Sequence, residues 1–576
     1  MSNKKWTAWL GLVVIAVLVL SACQPKTVVV EKVVTATPEP VAKPKVLRIN
    51  LGTYPDIIDP QKSSFVNEIA HLKLIYEGLT TLNEKLETVP GAAEKWEYNT
   101  DATELTFTLR EGLKYSDGTL LNAKRFEYSI LRNINPETAG EYAAITDEIL
   151  GAEQWRYAET DEKKAAGEEL TRQSVQALDM KGNPCTDYEQ ADCRVLKIKL
   201  SKPAPYFHTV MSLWVTYPAK EELIAEGGDI WWNSSKFQIG NGPYVLKTLE
   251  PFVRAYFTPN PYYWKGKGKV DIEYSYIVDS AVAFQAYKNN EFDIIGSAAE
   301  DLAVIESDPE LKAQHLVYPG SCTIAIMFHQ LKEPFNDPKV RAAFAYALDR
   351  EGWVRDVDQN LSLPTLTWIP KGFPGYKEGE TRWGYDPEKA RQAIAESSYG
   401  SVANLPEIVL TFGDSPRNRV RHEWLAAKWK EVFGPDLKIS LNPVESTTYT
   451  ALTKDIATAP QVYRLGWCAD YPDPQNWLSV YWKTGGFGQR IGYSNPEFDA
   501  LVNEADTTVD PVKRMELYQK AQDVLIDSIP VAFMYNTINH YLVKPWVMGI
   551  TTTPQDAGWP GDIDPISIDI DTSKMP

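Results

Sequence analysis

Six histidines and five cysteines are the residues of this 576-residue chain best suited to metal binding or nucleophilic chemistry. The histidines are His71, His208, His315, His329, His422 and His540. No two stand four apart and no HExxH occurs, so a helical zinc site has no template. The cysteines are Cys23, Cys185, Cys193, Cys322 and Cys468, and the lack of a CxxC argues against thioredoxin-like exchange and zinc knuckles. No GxSxG, P-loop or Rossmann glycine pattern is present. The acids Asp562, Asp564, Asp569 and Asp571 depart from EF-hand spacing and read as a solvated tail. The residues therefore specify no reaction, and neither an active site nor a metal nor a cofactor is expected. Aromatic surface is abundant instead: 18 Trp, 30 Tyr and 18 Phe, side chains that fill cores and line ligand clefts.

Composition narrows the class. Apolar residues make up 44% and charged residues 24%, ordinary globular usage. A net charge of -18 disfavours a nucleic-acid partner, which calls for a cationic face. At roughly 150 residues per unit, the length suggests three or four domain-sized parts.

The N-terminus is a targeting signal in outline. Lys4 and Lys5 precede an apolar run from Trp9 to Leu20, too short to span a bilayer, which takes about 20 residues. Leu20-Ser21-Ala22-Cys23 resembles the bacterial lipobox, so 1–22 reads as a signal peptide and Cys23 as a lipidated N-terminus. Residues 23–45, rich in Val and Pro, read as a flexible tether. The protein is thus expected outside the cytoplasm, held to the cell membrane by lipid, as a monomer. Four cysteines then remain, with three possible pairings. Cys185 and Cys193 share a polar segment, so a local bridge is the simplest choice and leaves Cys322 with Cys468. In the chain-entropy picture the long loop contributes about 4.7 kcal/mol and the short one about 3 or less.

Periodicity supplies the elements. Val46 to Leu51 reads as a first strand; Leu105, Phe107 and Leu109 alternate with polar residues, as do Leu196, Ile198 and Leu200; Tyr274 to Val278 is β-branched and aromatic. Helices open four times on an Asx-Pro pair: Asp337-Pro338, Asp386-Pro387, Asn495-Pro496 and Asp510-Pro511. Phe498, Leu501, Val502 and Ala505 then fall on one helical face, as do Val340, Phe344, Ala347 and Leu348. Interleaved strands and helices without repeats imply an α/β chain.

Five segments carry a more specific likeness. They are Ile58-Asp59-Pro60 with Ile75-Tyr76-Glu77-Gly78-Leu79; Leu105 to Gly118; Gly240-Asn241-Gly242-Pro243-Tyr244 with Asn260-Pro261-Tyr262-Tyr263-Trp264; Phe335 to Arg341 with Ala347-Leu348-Asp349-Arg350; and Trp467-Cys468-Ala469-Asp470-Tyr471-Pro472-Asp473-Pro474. In this order they resemble the large substrate-binding proteins of ABC importers, of the oligopeptide and dipeptide type. The resemblance implies a two-lobed periplasmic-binding-protein-like α/β fold closing by a hinge, with an extra small α/β domain. It places lobe I at 46–76, 210–321 and 540–576, the small domain at 77–209 and lobe II at 322–539. It also implies a peptide ligand, an ABC permease as partner, and no enzyme activity.

The resemblance assigns roles residue by residue. Asp470 would bind the peptide amine and Arg464 the carboxylate of short peptides. The backbone of Gly466 and Cys468 would pair with the peptide, as extended ligands do with sheet edges. Trp467 would wall a side-chain pocket, Val66 would sit at a backbone contact, and Tyr128 would line the cleft. The likeness also supports the Cys322–Cys468 bridge, whereas Asp473 reads as a turn residue. Relatives in the same superfamily bind sugars, metal chelates and opines, so an oligosaccharide or other small solute is the alternative ligand.

Overall fold

The computed structural model describes residues 45–576. The signal peptide 1–22, Cys23 and nearly all of the tether lie outside the described residues. No described helix is long and apolar enough to cross a membrane.

Among the described residues, eleven strands form one continuous sheet. Its axis is a pair of long antiparallel strands, His315–Phe328 and Val531–Val543. At one end this pair adjoins Ile294–Gly296 and Val46–Asn50, then Asp271–Ser275, Arg254–Pro259 and Tyr244–Glu250. At the other end it adjoins Val462–Cys468, then Ile408–Gly413 and Ile439–Val444. The two halves are the lobes, and the long strands are the crossovers between them. Their register shifts between Pro319 and Thr323, where the chain passes from one lobe to the other. Gly320 is required there, because a Cβ would stand 2.6 Å from Thr537 Oγ1.

A separate four-stranded sheet comprises Ala93–Tyr98, Glu104–Leu109, Val195–Lys199 and Val175–Leu178. Leu105, Phe107 and Leu109 point inward while their neighbours stay half-exposed, which is why the alternation was readable. This sheet shares one apolar core with lobe I, running from Phe107 and Ile198 to Ile49, Tyr274 and Trp559. Lobe II buries both faces of its sheet: Ile326, Phe328, Val462 and Met534 on one side, Ala325, Met327, Tyr463 and Phe533 on the other. Cys185 is bonded to Cys193 and Cys322 to Cys468; the latter two stand opposite each other in the ladder.

All four Asx-Pro pairs open helices: Pro338–Tyr346, Pro387–Ala395, Pro496–Thr507 and Pro511–Ser528. In each, the Asx oxygen accepts from a backbone amide of the first turn, while Pro stands where no amide partner is needed. Asp308-Pro309 and Asp473-Pro474 do the same before shorter helices. One strand expectation shifts. The strand expected at Tyr274–Val278 is Asp271–Ser275, because Asn50 takes both backbone groups of Ile277 and ends the ladder. The acidic tail expectation is overturned. Asp562 is 2% exposed and bonded to Lys73, and Asp569 pairs with Lys45 in a short strand.

Candidate functional site

A cleft of about 390 Å3 lies between the lobes. Strand Val462–Cys468 forms much of its lobe II wall. Only its first two residues pair with strand Ile408–Gly413; from Arg464 onward it keeps one neighbour, the crossover strand. At Arg464 the other edge is taken, because its carbonyl accepts from Tyr449 Oη at 2.6 Å; from Gly466 to Cys468 no strand pairs with it, a place where an extended chain can add as a further strand. Gly466 is dictated by the occupied side. A Cβ there would stand 2.3 Å from Ile324 Cδ1 and 2.6 Å from the Thr323 carbonyl.

Asp470 follows this strand and lines the cleft with Gly466, Trp467 and Cys468. Asn476 holds the arrangement. It donates to Asp470 Oδ2 at 2.8 Å, and its Oδ1 accepts from the Asp470 backbone amide and from Trp467 Nε1, both at 3.2 Å. Tyr142, from the opposite wall, lies beside the carboxylate. Burial raises the Asp470 carboxyl above its ordinary value, outweighing the lowering effect of Asn476 and Tyr142. No described cation forms an ion pair with it.

The lobe I wall holds Val66, Tyr76, Trp214 and Tyr217. Val66 opens helix Val66–Ile75 and is 63% exposed toward the space. Glu77 accepts from Tyr263 Oη at 2.6 Å and Trp264 Nε1 at 2.5 Å. Gln555, Asp556 and Asp562 come from the C-terminal segment. Gln555 Nε2 donates to the Ala469 carbonyl at 2.8 Å, a hydrogen bond between the lobes. No group of three or more His, Cys, Asp or Glu among the described residues has the geometry of a metal site.

Two expected residues fall elsewhere. Tyr128 lies on helix Ala123–Ile134 and lines a different cavity, with Lys62, Glu127, Arg132 and Glu221. Arg464 does not line the cleft beside Asp470. It lies further along the strand, on the face it shares with Gly466 and Cys468, where Nη1 donates to Tyr535 Oη at 2.8 Å. Its charge acts on Arg421, whose pKa is lowered by burial, by Arg464 and by Arg417, while Asp358 opposes this. Asp358 also accepts from Arg421 Nη2 at 3.1 Å.

The sequence reading missed Asn476, Tyr142, Gln555 and Asp556. Asn476 carried a readable signal, an amide one turn beyond the Asp-Tyr-Pro-Asp-Pro segment; the others are brought in from distant parts of the chain.

Comparison with known proteins matches residues 87–489 to the sequence model described as bacterial extracellular solute-binding proteins, family 5 Middle. The periplasmic oligopeptide-binding protein OppA of Salmonella typhimurium is 30% identical over 509 residues, covering 87% of this chain and 89% of the relative. The probable deoxycholate-binding periplasmic protein YgiS of Escherichia coli is 27% identical, covering 90% and 93%. Among solved structures, the Escherichia coli murein tripeptide binding protein MppA superposes with a TM-score of 0.69 at 25% identity, covering 92% of this chain and 99% of that one. The open-edged strand, the interlobe cleft and the matched 87–489 stretch agree, and the chain belongs to family 5 of the bacterial extracellular solute-binding proteins.

Proposed function

We propose that this protein captures short peptides outside the cytoplasm and delivers them to the permease of an ABC importer. One observation carries the reading: Asp470, a largely buried carboxylate that no cation among the described residues pairs with, stands at the end of an open strand edge inside the cleft. A free peptide supplies both missing partners, an ammonium group for the acid and a backbone for the edge. Trp467 and Trp214 offer apolar walls for side chains. The names of the relatives, oligopeptide-binding and murein tripeptide binding among them, support the same ligand class.

In this reading a peptide running along the strand from Asp470 would bring its carboxylate end toward Arg464, which lies outside the cleft beside Asp470 but on the strand face of Gly466 and Cys468, with Arg421, Arg417 and the acid Asp358 around it. The lobe boundaries belong to the same reading: 46–76, 210–321 and 540–576 for lobe I, 77–209 for the small domain and 322–539 for lobe II. Cys23 would carry the lipid that keeps a monomer at the membrane, and binding would favour the closed form that docks on the permease.

Mass spectrometry of small molecules released on denaturation tests the ligand class directly. A mixture of short peptides is expected. A sugar, bile acid or metal chelate in their place would overturn the peptide reading and leave the fold intact. Calorimetry with a tripeptide and its N-acetylated form tests the amine site: the blocked peptide should bind weakly, and equal affinity would remove Asp470 from its role.

A further inference from the structure

The cleft holds more negative charge than one amine requires. Glu77, Asp470, Asp556, Asp562 and Asp564 line it, against Lys73 and Lys265. Most of these acids have partners. Asp562 takes Lys73 Nζ at 2.5 Å and the backbone amides of Ala557 and Gly558 at 2.6 and 3.1 Å. Asp564 lies 3.8 Å from Lys265. Glu77 is bonded to Tyr263 and Trp264. Asp470 is the acid assigned to the ligand's amine. Asp556 remains. It accepts from Thr553, through the backbone amide and Oγ1 at 3.0–3.3 Å, with the Tyr318 hydroxyl as a further hydrogen-bonding neighbour, and no described cation forms an ion pair with it.

The adjacent residue points the same way. Gln555 Nε2 is fixed on the Ala469 carbonyl, and this orients the amide so that Oε1 is buried without a hydrogen-bond partner among the described residues. An acceptor in that state fits a donor brought by the ligand. Ala469 adjoins Asp470, so Asp556 with Gln555 from lobe I and Asp470 from lobe II border the same stretch of the cleft.

We propose that Asp556 and Gln555 Oε1 form a second cation subsite, selecting peptides with a basic side chain on their first residue. This rests on the peptide reading above. An ammonium or guanidinium there would pair with Asp556 while the N-terminal amine pairs with Asp470, and like charges on the two lobes would be neutralised together. The surroundings add a pH signature. Burial and the Asp562 charge push the Asp556 carboxyl up to about 7, and Lys73 on helix Val66–Ile75 opposes them. Tyr318 and Tyr541, on the crossover strands, also face it; burial raises both phenols, and Asp556 adds to the rise in each. A cation bound at Asp556 favours its ionised form, so uptake of a basic peptide near neutral pH should release a proton that a neutral peptide does not.

Isothermal titration with Lys-Ala-Ala, norleucine-Ala-Ala and Ala-Ala-Ala tests this, in wild type and in Asp556→Asn. Wild type should prefer Lys-Ala-Ala over norleucine-Ala-Ala by about 10- to 100-fold, the scale of one buried charge-assisted bond. In Asp556→Asn the ratio should fall close to one. Equal affinities for the lysine and norleucine peptides in wild type would overturn the subsite while leaving peptide binding in place. So would a preference that survives in Asp556→Asn. Failure of all three peptides to bind wild type would instead overturn the peptide reading, and the inference with it. The wild-type comparison of lysine with norleucine needs no variant, so a folding defect in Asp556→Asn cannot mask the answer.

Discussion

Asp470 and Asp473 stand three residues apart in one loop and have opposite surroundings. Asp473 is committed to the fold. Its oxygens accept from Arg514 Nη1 and Nη2 at 2.8 Å and from the amide of Gln475 at 2.9 Å, capping a short helix. Asp470 has Asn476 and Tyr142 beside it but no cation, and burial raises its carboxyl. A buried acid that is neutralised within the fold stabilises its own loop. One left unneutralised at a cleft stores an electrostatic demand that only a ligand meets. The loop uses the first acid to hold the second in place.

Substitutions at the two positions should therefore separate stability from binding. Asp473→Ala strands the Arg514 guanidinium and should cost about 3–5 kcal/mol in denaturant unfolding. Asp470→Ala should leave unfolding close to wild type and weaken peptide binding by about 2–5 kcal/mol in calorimetry. If Asp470→Ala destabilised the protein as much as Asp473→Ala, the contrast would collapse and both acids would be structural.

pH sharpens the same contrast. The folded Asp470 carboxyl sits above its unfolded value, so the empty protein loses stability as pH rises from the unfolded value through the folded one. The ligand ammonium needs the ionised form, so affinity should fall as pH drops through that raised value. Asp470→Asn should flatten both profiles, read by thermal unfolding and by titration across acidic to neutral pH. The smallest effect belongs to Tyr142→Phe, which removes one polar neighbour of Asp470. It should change affinity by about 0.5–1.5 kcal/mol and leave Asp473 and its loop untouched.

Much of this architecture was legible because its determinants are local. An Asx oxygen and a proline ring cap a helix wherever they occur together, so the starts at Pro338, Pro387, Pro496 and Pro511 needed no tertiary knowledge. Alternation at Leu105, Phe107 and Leu109 likewise reports a sheet with one buried face. Asp470, Trp467 and Cys468 were legible through a contiguous motif. The rest depends on contacts between positions 71 to 489 residues apart. Nothing near Asp562 reveals that Lys73 neutralises it, so the C-terminal acids looked like solvated chain instead of cleft wall. Nothing near Arg464 reveals that Tyr535 takes its side chain. Tyr128 was placed in the cleft by family likeness but sits on a helix whose face lines another cavity.

The two crossover strands also impose an order on folding. Val46–Asn50 pairs with Asp271–Ser275 and Ile294–Gly296, and that last strand pairs with residues 541–543. The sheet that contains the first strand is thus completed by almost the last one. A chain that emerges from its N-terminus cannot finish this lobe until nearly all of it has arrived, whereas the partners of Phe328, Val462 and Ala532 lie within one later stretch. Pairings of such high sequence separation carry a large loop-closure cost before any contact rewards it. Lobe II is accordingly the half positioned to fold as a unit, and lobe I the half that waits for both ends of the chain.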